Sequence, residues 1–185
     1  METAAEWFEC DDELPNELAD FLQAARVEAE HWNDANSAHS QVYIWDDRIV
    51  LGMDVCDLER SSVLRALRAD YGASGLVYGD DETHQFTTDL IFKQPEYRHI
   101  EHNTQSAANH GRTAVTWFRS QMERPIELLE WKRFGFWGYW RRQYRLADTG
   151  RLLSWSAKGN NRRTGLGNPN RVIPVVTLNK NAGAA

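Results

Sequence analysis

Residues able to hold a charged ligand are concentrated between Leu128 and Lys158, LLEWKRFGFWGYWRRQYRLADTGRLLSWSAK. Single-stranded nucleic acid is bound by aromatic faces on which bases stack and by Lys and Arg that neutralise phosphates. Side chains of an extended strand alternate between its faces. Trp131, Trp137, Tyr139, Arg141, Gln143 and Arg145 therefore share one face, and Phe134, Phe136, Trp140, Tyr144 and Leu146 the other. The face with Trp137, Tyr139, Arg141 and Arg145 is the candidate binding surface, and the opposite face is assigned to the core. Arg162, Arg163 and Arg171 lie in GNNRRTGLGNPNR, a Gly/Asn/Arg loop from Gly159 to Arg171, and extend a basic track beside that surface. Aromatic residues on both faces also fit a strand covered by protein on both sides. The switch after Tyr139 to Arg141, Gln143 and Arg145 marks where one face emerges into solvent.

Other reactive residue types form weaker patterns. His99 and His102, with Glu96 and His110 nearby, have donor chemistry for a metal, but HExxH is absent and the segment falls at a strand-to-helix junction. They read as polar surface histidines. Gly159 and Gly165-Leu166-Gly167 lack the Lys-Ser/Thr ending of a phosphate loop and the helix start that would follow it. GxSxG is absent, as is a cysteine with a neighbouring histidine. Tyr78-Gly79-Asp80-Asp81, at a strand end before another strand, resembles the palm-domain metal motif of reverse transcriptases and RNA polymerases. That resemblance implies a divalent metal for phosphoryl transfer held by Asp80 and Asp81, with Asp54 from a neighbouring strand. It covers four residues, the Asp54 to Asp80 spacing is shorter than in that family, and Gly-Asp-Asp also suits a hairpin turn from Gly79 to Glu82, which is the reading adopted.

The elements that position these residues follow from periodicity. Leu18, Phe21, Leu22, Ala25, Ala29 and Trp32 form an apolar stripe that predicts a helix from about Pro15 to Trp32, with breakers from Asn33 to Ser40. Val42 and Ile44, a turn at Asp46-Asp47-Arg48, and Ile49, Leu51, Met53 and Val55 predict a β-hairpin. Asp57 is a good N-cap for a second helix through Val63, Leu64, Leu67 and Tyr71, stopped by Gly72. Leu76 to Tyr78 and Phe86 to Phe92 read as strands. Ala107, Gly111, Ala114, Val115, Phe118 and Met122 mark a third helix, ended by Pro125. Strands resume at Ile126, Asp148-Thr149-Gly150 turns the chain, and a last strand through Val172 and Ile173 carries Pro174, which argues for an edge.

The fold class expected is therefore α+β, with antiparallel sheet or sheets and about three amphipathic helices on one side. The order is α-β-β repeated, ending in an aromatic-rich hairpin and an edge strand. The halves differ sharply in charge. Residues 1–100 hold 22 Asp and Glu against 7 Lys and Arg, and residues 101–185 hold 5 against 14. This suggests an acidic αββαββ half (1–100) and a basic, aromatic-rich αβββ half (101–185), as one compact domain or two tightly packed subdomains. No apolar run approaches the roughly 18 residues of a membrane span, and METAAEWFECDDELP is acidic where a signal peptide is basic and then apolar. Cys10 and Cys56, without CxxC spacing, fit ordinary thiols in a reducing compartment, so a cytoplasmic protein is expected.

The residues point to a binding protein rather than an enzyme, with no cofactor and no membrane association. The first expectation is a non-catalytic interaction protein, an accessory, inhibitor or assembly protein of a virus or mobile element. Its basic-aromatic C-terminal half would bind nucleic acid or a nucleoprotein complex, and its acidic N-terminal half a basic protein. One alternative is a metal-dependent enzyme processing phosphodiesters with Asp54, Asp80 and Asp81. Another is a structural oligomer subunit whose aromatic hairpin is buried between copies.

Overall fold

The computed structural model describes residues 7–32, 39–80, 98–101, 104–133, 139–158 and 167–177. The chain divides into two compact units. The first comprises the described residues up to Val55 and those of Arg65–Met122, the second Cys56–Leu64 and those of Glu123–Thr177.

In the first unit, helix α1 spans Asn16–Ala29 and buries Leu18, Phe21, Leu22, Ala24, Ala25 and Ala29, as its apolar spacing predicts. Pro15 precedes it, where a missing N–H costs nothing, and its carbonyl accepts the Ala19 N–H at 2.9 Å. Five strands follow, β1 Ser40–Trp45, β2 Arg48–Asp57, β3 Ser62–Gly72, β4 Gly75–Asp80 and β5 Arg98–Glu101, with Cys56 and Asp57 of β2 and Ser62 to Leu64 of β3 counted in the second unit. They form one antiparallel sheet in sequence order. Asp46 turns β1 into β2 at φ 55°, a left-handed conformation that Asp tolerates better than most residues. Helix α2, Ala107–Met122, then buries Ala114, Val115, Phe118 and Met122.

The segment expected to be a helix from Asp57 to Tyr71 is instead β3 and the turn before it. Asp57 does cap, but it caps that turn, accepting the N–H groups of Glu59 and Arg60 at 3.0 and 3.2 Å. Arg65, Leu67, Ala69 and Tyr71 are all buried, which is the period of two of a strand. The described residues thus hold two helices rather than about three, and the repeated α-β-β order gives way to one helix, five strands, a second helix and four strands. Gly79 and Asp80 lie within β4 rather than in a turn. The strand expected at Phe86 to Phe92 falls outside the described residues.

The β3–β4 register places Leu67 opposite Asp80, Ala69 opposite Tyr78 and Tyr71 opposite Leu76. Both helices pack on the face these residues share. The Tyr71 ring stacks on Phe21 of α1 at 4.6 Å and lies 5.2 Å from His110 of α2, while Tyr78 meets Trp117 at 5.1 Å. No helix among the described residues is long and apolar enough to cross a membrane.

The second unit is built on a four-stranded antiparallel sheet of β6 Ile126–Arg133, β7 Tyr139–Leu146, β8 Leu152–Lys158 and β9 Arg171–Pro174, ordered β8-β7-β6-β9. Gly150, at φ 70°, turns β7 into β8 and donates its N–H to the Leu146 carbonyl at 2.8 Å. Pro174 lies on an edge strand, as its missing N–H requires. Ile126, Leu128, Tyr144, Leu146 and Leu153 are buried in this unit.

Candidate functional site

Strand pairing decides which residues of the basic hairpin meet. Trp131 lies opposite Arg141, Leu129 opposite Gln143 and Glu127 opposite Arg145. Gln143 in turn pairs with Trp155, and Leu129 with Val172. This is the face expected to bind, and it is mixed. Trp131 and Leu129 are buried, and the Trp131 indole N–H donates to the Gly167 carbonyl at 3.2 Å. Arg145 is tied to Glu127 at 2.9 Å. Arg141 lies over the Trp155 ring at 5.3 Å, and Trp155 and Val172 are exposed. Tyr139 pairs with Arg133 through the backbone. Trp137, Arg162 and Arg163 lie outside the described residues.

The opposite face holds the denser charge cluster. Its apolar part, Ile126 and Leu128 with Tyr144 and Leu146, is buried as expected. Beyond Leu128 the same parity brings Glu130 and Lys132, facing Arg142 and Trp140 across the β6–β7 pair. Arg171 lies opposite Glu130 from the other side, so Ser156, Arg142, Glu130 and Arg171 form one row across all four strands. Arg171 therefore sits on the face of Arg142, not on that of Arg141 and Arg145.

Glu130 is 3% exposed. Its Oε1 accepts from Arg142 Nε at 2.8 Å, and its Oε2 lies 3.6 Å from Arg171 Nη1 and 3.8 Å from Lys132 Nζ. Burial alone would raise the carboxyl pKa. The Arg142 hydrogen bond and the charges of Lys132, Arg142 and Arg171 outweigh it and hold Glu130 below its usual value. The Arg142 guanidinium also lies over the Trp140 ring at 5.6 Å. Asn170 fixes the edge of the cluster, donating its N–H to the Glu130 carbonyl at 2.8 Å and accepting the Lys132 N–H on its side chain at 2.6 Å. Trp140 is the member that strand parity had assigned to the core, and the pairing brings Lys132 and Arg142 to the same face. Their signal was the change from Ile126 and Leu128 to Glu130 and Lys132 along the even positions of β6.

The remaining candidates are described only in part. Asp80 is buried and paired with Arg65, which donates to it from both Nε and Nη2 and also reaches Gln121 Oε1 at 3.1 Å. Asp54 is on β2, and Asp81 lies outside the described residues. His110 is buried in α2 beside Tyr71, His99 is on β5, and Glu96 and His102 lie outside the described residues. Among the described residues no group of three or more His, Cys, Asp or Glu is placed to hold a metal ion. Cys10 and Cys56 are both thiols. Gly167 takes part in the Trp131 contact, whereas Gly159, Gly165 and Leu166 lie outside the described residues.

The first unit carries a cleft of about 590 Å³ lined by Asp12, Glu13, Glu17, Asp46 and Asp47 around Ile44, Leu18 and Tyr71. The Tyr71 hydroxyl donates to Glu17 at 2.7 Å. Comparisons with protein-family models, with curated proteins and with solved structures returned no match.

Proposed function

We propose that this chain is a non-catalytic interaction protein whose second unit binds nucleic acid, alone or within a nucleoprotein complex, through a basic-aromatic sheet face. The observation that carries this reading is the gathering of Arg142, Lys132 and Arg171 around the buried Glu130, beside Trp140. One carboxylate balances one of these three cations. Their side chains are 41%, 43% and 64% exposed, so the remaining positive charge faces solvent, where phosphates can reach it. Trp140, on the same face, adds a ring surface of the kind on which bases stack. The acidic cleft of the first unit supports the companion proposal, that this unit meets a basic protein surface.

The test is fluorescence anisotropy of a labelled single-stranded oligonucleotide at two salt concentrations. Binding is expected to weaken as salt rises, and the double variant Arg142→Ala with Arg171→Ala is expected to weaken it at both. Each lost phosphate contact should lower the logarithmic salt slope by about 0.7. A flat titration of the unaltered protein at low salt overturns the proposal.

A further inference from the structure

We infer that Glu130 is a positioning residue, which converges Arg142, Lys132 and Arg171 on a single phosphate group of the bound nucleic acid. The inference rests on the nucleic-acid reading above and specifies where in the face the phosphate sits.

A carboxylate in the middle of a polyanion-binding surface is costly by simple electrostatics, because it repels the ligand. The geometry gives it another role. Glu130 is fixed on β6, an inner strand of the sheet, with neighbours paired on both sides. Its two oxygens divide the cations, Oε1 taking Arg142 and Oε2 facing Arg171 and Lys132. Long cationic side chains repel one another and lose rotamer freedom when held still. A shared buried anion offsets both effects before any ligand arrives. Arg142 bonds Glu130 through Nε, which leaves the outer Nη edge of the guanidinium directed to a second acceptor, and the Trp140 ring limits its swing. The result is a preorganised set of donors whose charge exceeds that of its own carboxylate by two, suited to a phosphate rather than to a second carboxylic acid of the chain.

Simple electrostatics and positioning predict opposite signs for Glu130→Gln. This variant keeps the side-chain shape and makes the face more positive. Positioning predicts that oligonucleotide affinity falls by about tenfold while the melting temperature stays near that of the parent, the size of effect seen when a phosphate-directed cation is lost or misplaced. Asp148→Asn, which removes one negative charge at the β7–β8 turn, where Asp148 pairs with Arg124, should bind equally well or slightly more tightly. Arg142→Lys serves if Glu130→Gln fails to fold. It preserves charge but loses the Nε bond, and it should weaken binding several-fold with an unchanged salt slope. If the parent binds and Glu130→Gln matches or exceeds Asp148→Asn, or Arg142→Lys binds like the parent, the positioning role is overturned and the nucleic-acid reading stands. If the parent does not bind at all, the reading itself falls and the inference falls with it.

Discussion

Tyr144 on β7 donates its hydroxyl hydrogen bond to Oδ2 of Asp57 at 3.1 Å, linking residues 87 positions apart within the second unit. The same oxygen accepts from Arg60 Nη1 at 3.0 Å, while Oδ1 accepts the backbone N–H groups of Glu59 and Arg60. Asp57 is fully buried, and these four donors are what make a buried carboxylate tolerable. Tyr144→Phe removes one donor and leaves Arg60, so a loss of about 1 to 2 kcal/mol is expected in urea denaturation. Asp57→Ala leaves the turn amides and the Tyr144 hydroxyl to find other acceptors and should cost about 3 kcal/mol or more.

The same bond predicts an alkaline limb. Burial, and then the neighbouring Asp57 charge and its hydrogen bond, raise the Tyr144 pKa. Tyr71 is raised in the same way, by burial and by Glu17. A raised phenol favours folding in its neutral form. Its contribution is complete below the unfolded value of about 10 and is lost as pH rises from there through the folded value. Stability should therefore fall above about pH 10, and the fall should be shallower in Tyr144→Phe. An identical alkaline slope in parent and variant would contradict the assignment.

Arg65 and Asp80 form a pair whose side chains are 1% and 5% exposed inside the first unit. Removing one partner takes from the other its buried counter-charge, so Asp80→Ala or Arg65→Met alone should cost about 3 to 5 kcal/mol. The double replacement Arg65→Met with Asp80→Leu should cost much less than the sum of the two, which thermal melting of the four proteins measures directly. The pairing also sharpens the test of the metal-dependent alternative. Calorimetry with Mn²⁺ should give no heat that Asp80→Asn abolishes, and such a heat would restore Asp54, Asp80 and Asp81 as a candidate site.

That buried pair explains the main departure of the fold from the sequence reading. Val63, Leu64, Leu67 and Tyr71 fit a helical stripe, and with Arg65 taken as a surface residue the helix is the better reading. Once Arg65 is neutralised by Asp80 it joins Leu67, Ala69 and Tyr71 on one buried strand face. A partner 15 residues away supplies that information, and local spacing contains none of it. The two helices of the described residues were legible because their stripes are apolar throughout, and the β1–β2 and β7–β8 turns because Asp46-Asp47 and Asp148-Thr149-Gly150 have the required turn chemistry.

The candidate site was legible in part for a similar reason. Alternation along β7 separated Arg141 and Arg145 from Trp140 and Tyr144, and the pairing of the strands preserves that separation. Register was not legible. It alone brings Arg171 opposite Glu130, and thereby moves the densest basic cluster of the described residues to the other face. A direct comparison follows from this. Arg141→Ala with Arg145→Ala should weaken oligonucleotide binding less than Arg142→Ala with Arg171→Ala. Arg142, Lys132 and Arg171 share the one carboxylate of Glu130 and keep an excess of positive charge, whereas Arg145 is paired with Glu127 and Arg141 is stacked on Trp155. The reverse ranking would return the binding surface to the Arg141 face.

Gly111 makes the final prediction, because helix propensity and packing disagree about it. In an isolated helix Gly→Ala gains about 1 kcal/mol. In α2 a Cβ at this position would stand 2.2 Å from the Phe21 carbonyl oxygen and 3.2 Å from the Ala25 nitrogen, both on the backbone of α1. Backbone cannot swing aside as a side chain can, so the helices must separate and loosen the packing of Phe21 and Phe118. Overpacking of this kind costs about 1 to 3 kcal/mol or more, which exceeds the propensity gain. Gly111→Ala should therefore lower the melting temperature, while Thr116→Ala on the exposed side of the same helix should leave it unchanged or raise it slightly. A stabilised Gly111→Ala would mean that the glycine serves no packing role between α1 and α2.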